Sequence, residues 1–112
     1  MTRHIDMTDS VANLKWNTEH HYAHIEQQHE FIRAIAVQFE IGYSDYRYIQ
    51  MALYLENKDD LLQQFTKAYK DFYAYESVFA MRGLEEFNKD FSWKMGDFRE
   101  VKDKLLNVLD LL

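Results

Sequence analysis

Four of the five histidines fall in one short stretch, "TEHHYAHIEQQHE", residues 18 to 30. Imidazole is a common ligand for zinc, copper and nickel, and on a helix residues four apart share a face. His20 and His24 have that spacing. His21 falls on a different side, and His24 and His29 point apart, so one helix cannot bring all four histidines to one ion. A structural zinc takes four protein ligands and a catalytic zinc usually three. The chain has no cysteine and no histidine after position 29. Further ligands would have to be Asp or Glu, or come from a second chain. The zinc-protease pattern H-E-x-x-H is absent, since positions 20 to 24 read "HHYAH".

Glu26 and His29 form one Glu-x-x-His pair. Di-iron bundles use two such pairs with a glutamate from each of two further helices. A symmetric dimer with Glu76 would be needed to complete that set. The simpler expectation is solvated imidazoles at 20 and 24 and a partly buried, hydrogen-bonded His21. The candidate metal residues are therefore His20, His24, Glu26 and His29, and the expectation is that no metal or other cofactor is bound.

Other chemistry finds less material. The serines, at 10, 44, 77 and 92, sit in no glycine-rich elbow. No G-x-G or GK[ST] phosphate loop occurs. The pairs Asp59–Asp60 and Glu85–Glu86 fall at expected helix starts, where carboxylates complement the macrodipole. Glu76 stands on an otherwise apolar helix face. No catalytic residue is assigned, and the expectation is a protein that is not an enzyme.

The elements that position these residues read as helices throughout. Proline is absent, and glycine occurs only at 42, 83 and 96. Proline breaks helices, and glycine favours the position just after one. From about Asp9 to Ile41, Val11, Leu14, Thr18, His21, Ile25, Gln28, Ile32, Ile35 and Phe39 recur at spacings of three and four. This predicts one long first helix stopped by Gly42. Such a helix would be ~50 Å long, whereas a domain of this size has a radius of gyration of about 13 Å. It must bend near "WNT" at 16 to 18 or lay its overhang on a second copy.

Ser44 is the expected cap of a second helix through "YRYIQMALYLEN", apolar nearly all round, and so either buried or covered by a partner. "NKDD" predicts a tight turn with Asp59 as cap. The third helix, about 60 to 82, carries Leu61, Phe65, Ala68, Phe72, Tyr75 and Phe79 and ends at Gly83. A short segment, with Leu84, Phe87, Phe91 and Met95, ends at Gly96. Asp97 and Glu100 suggest a capping box for the last helix, with Phe98, Val101, Leu105, Val108 and Leu112 as its stripe. No stretch alternates with period two. The fold class is all-α: a compact helical bundle of four or five helices with a long first helix, in one domain over 1–112.

The 112 residues carry 19 acidic and 13 basic side chains, a formal net charge of −6. Binding to a phosphate backbone relies on Lys and Arg displacing counterions, and no basic stripe is present. Direct nucleic-acid binding is not expected. No stretch approaches the ~20 apolar residues of a membrane helix, and the start has no secretory pattern, so a cytoplasmic location is expected.

Aromatic residues are 16% of the chain, with eight tyrosines. Tyrosine joins apolar area to a polar tip and suits interfaces. Trp16, Tyr46, Tyr48, Tyr54 and Tyr73 are the candidate partner-binding residues. The expected function is a small protein-binding module, a regulator, inhibitor or adaptor, with another protein as partner and a homodimer as its own state. The alternatives are an acidic DNA mimic that inhibits a nucleic-acid-binding protein, and a metal-binding bundle using residues 20–29.

Overall fold

The computed structural model describes residues 5–28 and 33–112, with side chains left aside at 33–36 and Ser92. Five α-helices are present: α1 (Thr8–Glu26), α2 (Arg33–Leu55), α3 (Asp59–Arg82), α4 (Leu84–Phe91) and α5 (Met95–Asp110). A single 3-10 turn, Ser92–Lys94, joins α4 to α5. No strand occurs among the described residues. The protein is an all-α helical bundle. No helix of the described residues is long and apolar enough to cross a membrane.

The predicted 33-residue first helix is two helices. Helix α1 runs unbroken through positions 16 to 18 and stops at Glu26. Gln27 N–H donates back to the Ala23 carbonyl, and Gln28 takes a left-handed backbone conformation, φ 61°. That conformation takes the chain off the helical path. The expected continuation of the stripe at Ile32 lies outside the described residues. Gly42 and Ser44, read as a stop and a cap, are both inside α2. The Ser44 hydroxyl bonds the Glu40 carbonyl at 3.3 Å, the usual mid-helix use of serine.

Gly42 has a packing reason. It is buried against α1, and a Cβ built there would lie 3.4 Å from Asn17 Nδ2 and 3.8 Å from Leu14 Cδ1. These are ordinary contact distances, so one methyl fits. Gly42→Ala is therefore expected to stabilise the protein by up to about 1 kcal/mol, the helix-propensity gain. Gly42→Leu is expected to push the helices apart and destabilise it. Thermal melts of the two variants check the sign of each.

The other helix ends follow local rules. Asn57, φ 60°, closes α2. Lys58 N–H reaches the Leu53 carbonyl at 3.0 Å and Asn57 N–H the Tyr54 carbonyl at 3.1 Å, the paired bonds of a Schellman motif. Gly83, φ 90°, ends α3 as predicted. Asp59 is not a cap but the first residue of α3, with Asp60 beside it in the first turn. Gly96 and Asp97 likewise lie inside α5, so the predicted capping box does not form. In both helices the carboxylates act through the positive N-terminal end.

Helix α3 is central. It packs on α2, α4 and α5, while α1 closes the bundle against α2 and α5. Its apolar stripe is the predicted one, with Phe65, Ala68, Phe72 and Phe79 buried. Phe98 of α5 is the hub of the aromatic core. Its ring lies 5.4 Å from Phe72, 5.1 Å from Tyr75, 5.6 Å from Phe87 and 4.9 Å from Tyr22.

Candidate functional site

Three groups of residues have functional potential: a sealed polar pair in the core, a surface pair of imidazoles, and the aromatic and aliphatic residues of α2.

The sealed pair is His21 on α1 and Glu76 on α3, joined by a short hydrogen bond from Nδ1 to Oε2. Both side chains are buried. His21 Nε2 finds no partner among the described residues. A bare lone pair costs less there than an unpaired N–H, so the proton sits on the Nδ1 side, between ring and carboxylate. His21 therefore lies on the seam as expected. Glu76, the carboxylate on the apolar face of α3, turns inward to the ring. The pair is buried and joins α1 to α3.

The surface pair is His20 and His24. Their Nε2 atoms are 3.0 Å apart and their rings meet edge-on, centroids 4.4 Å apart. Trp16, one turn earlier, stacks on His20 at 4.5 Å and 13°. Burial, then the neighbouring His21, lowers the His20 pKa. Of the other metal candidates, Glu26 faces Arg99 at 3.7 Å, and His29 lies outside the described residues. Among the described residues no three His, Asp or Glu side chains converge as a metal-binding group.

The aromatic residues divide. Tyr46 is buried and stacks flat on Tyr69, centroids 3.8 Å apart and 7° between planes. It is a core residue, not an outward anchor, because its position in α2 faces α3. Tyr73 is half-buried beside Phe39, 5.5 Å away. These rings and Tyr43 line an open cleft of about 580 Å³ between α2 and α3, edged by Glu40, Arg47 and Lys70. Burial, then the charge of Glu76, holds the Tyr69 phenol far above its ordinary pKa. Burial also raises Tyr46. Both remain neutral hydroxyls, able to hydrogen-bond but not to act as bases near neutral pH.

Trp16 is 53% exposed and Tyr54 68%. Tyr48 is partly exposed, its hydroxyl donating to the Asp6 carbonyl at 3.2 Å. Trp16, Tyr48, Tyr54 and Tyr73 do not form one site. Tyr48 belongs instead to a row that the aromatic reading missed. Val37, Ile41, Tyr48, Met51 and Leu55 are all exposed on α2. With Ser44 they recur at spacings of 4, 3, 4, 3 and 4. At 3.6 residues per turn all six fall in a sector about 80° wide, opposite the buried side. The signal was present in the sequence as an all-round apolar helix, but its outward half has no inward partner to reveal it.

Compared with models of protein families, with curated proteins and with solved structures, the chain matches none.

Proposed function

We propose that this protein is a non-enzymatic protein-binding module whose docking face is the outward row of α2, and that the first occupant of that face is a second copy of the chain. The observation that carries the proposal is the row itself: five exposed apolar side chains that, with Ser44, alternate at spacings of four and three over residues 37 to 55. That spacing is the narrow seam by which one helix packs along another.

The row is complementary to itself when two copies run antiparallel. Val37 then faces Leu55 of the second copy, Ile41 faces Met51, and small Ser44 faces large Tyr48. Every position finds a match, and large residues meet small or medium ones. In the same register Tyr54 lies beside Glu40 of the other copy, giving the exposed phenol an acceptor. The two Arg47 side chains flank the axis and are long enough to keep their heads in water. Two-fold pairing of one patch with itself is the commonest form of homo-oligomer. A regulator, inhibitor or adaptor would use this face, or the tyrosine-lined cleft beside it, by occupancy rather than chemistry.

Sedimentation equilibrium tests the proposal. The wild type is expected as a dimer, and the double variant Ile41→Lys/Met51→Lys as a monomer with unchanged helical circular dichroism. Those two positions face each other across the seam, so the variant sets lysine against lysine. A wild-type monomer at every attainable concentration would overturn the self-docking reading.

A further inference from the structure

We propose that His20 and His24 form a two-imidazole binding site for a divalent transition-metal ion, with copper(II) the tightest of the series, and that Trp16 is the wall that positions it. This site is separate from the α2 face and does not depend on it.

The geometry carries the argument. Metal–imidazole bonds are ~2.0–2.1 Å. Two such bonds meeting near a right angle place the nitrogens about 3 Å apart. The two Nε2 atoms are 3.0 Å apart in the protein. They face each other from successive turns of one helix, on side chains that are half-buried rather than deeply enclosed. An ion therefore has access from solvent, and water can complete its coordination.

The stack of Trp16 on His20, 4.5 Å between centroids, restricts the rotation of that imidazole. Fixing the orientation of a ligand is one way that outer-shell contacts tune a metal site. In the metal-free pair one Nε2–H donates to the other nitrogen. On loading, that proton moves to Nδ1 of its own ring, and both Nε2 lone pairs turn to the ion. The charge and redox state of the metal do not change. Two imidazoles without thiolate or carboxylate select borderline ions, and affinity rises along the divalent series to copper.

The experiment uses the full chain with His4→Gln and His29→Gln, so that neither of these contributes; the remaining histidine outside the pair, His21, is buried in the core. Copper(II) chloride is titrated in a non-coordinating buffer. The readouts are Trp emission and isothermal calorimetry. Trp16 touches His20, so a paramagnetic ion at the pair quenches it, and saturable quenching at one equivalent is expected. Adding His24→Gln is expected to weaken binding by at least the ~10–100-fold that loss of even an outer-shell partner costs. Trp16→Phe is expected to keep one equivalent by calorimetry and to lose most of the quenching. Non-saturable quenching, or quenching unchanged by His24→Gln, would overturn the proposal. Circular dichroism of each variant separates lost binding from lost folding, because both histidine positions are on the helix surface.

Discussion

Glu76→Ala is expected to lower the folding stability by about 3–5 kcal/mol, the cost typical of removing one member of a buried polar pair. The substitution leaves the His21 ring with both nitrogens unpartnered in the core, since Nε2 already lacks a protein partner. Water cannot reach the ring to compensate, because the side chain is almost wholly buried. Small domains are stable by only ~5–15 kcal/mol in total, so the loss is a large fraction of what holds the bundle together. Glu76→Gln keeps shape and an acceptor oxygen for Nδ1–H, and is expected to cost only about 1–2 kcal/mol. Replacing both members with leucine is expected to recover much of the loss, as exchanging a buried pair for apolar side chains commonly does. Urea denaturation followed by circular dichroism measures all three. A Glu76→Ala variant within 1 kcal/mol of wild type, or a double variant as unstable as the single one, would contradict the account.

Phe98→Ala is expected to cost about 3–5 kcal/mol, in the range found for deleting a buried phenylalanine. The ring is fully buried, and its ring neighbours come from α1, α3 and α4. Those neighbours are rings anchored on three different helices, so the space left behind cannot collapse without moving a backbone. Phe98→Leu fills most of that space and is expected to cost less than half as much. Near-ultraviolet circular dichroism is expected to weaken for the alanine variant, because Tyr22, Tyr75 and Phe72 lose their fixed neighbour. Denaturation curves for the pair of variants decide the matter: equal costs would mean that the site relaxes freely.

The sequence was most readable where local signals and packing agree. Helix α3 is the clearest case, with its stripe from Leu61 to Phe79 and its glycine stop at 83. It was least readable at the break after α1. There the left-handed residue is Gln28, which has no special liking for that conformation, while Gly42, which does, lies in the middle of a helix. The approach of α1 limits position 42 to a small residue, a contact between residues distant in the chain that no local rule contains. The same holds for the His21–Glu76 bond. Each residue looked unusual alone, a histidine on a seam and a glutamate on an apolar face, but a separation of 55 positions along the chain hid the pairing. His20 and His24 were legible as a pair because one helix holds both. The outward row of α2 had the right period, but period alone does not say which half of an all-round apolar helix faces the core.

The order in which the helices neighbour one another also bears on how the chain folds. Helix α2 meets α1 and α3, and α3 meets α4 and α5, so most packing joins elements close in the chain. Local topology of this kind belongs to fast folding, on microsecond to millisecond times. The seam between α1 and α5 spans the greatest distance along the chain. It joins Lys15 to Asp110 and Tyr22 to Arg99 across most of the sequence. Closing so large a loop costs entropy before any contact repays it. That seam is therefore expected to carry the largest loop-closure cost among the helix contacts of the bundle.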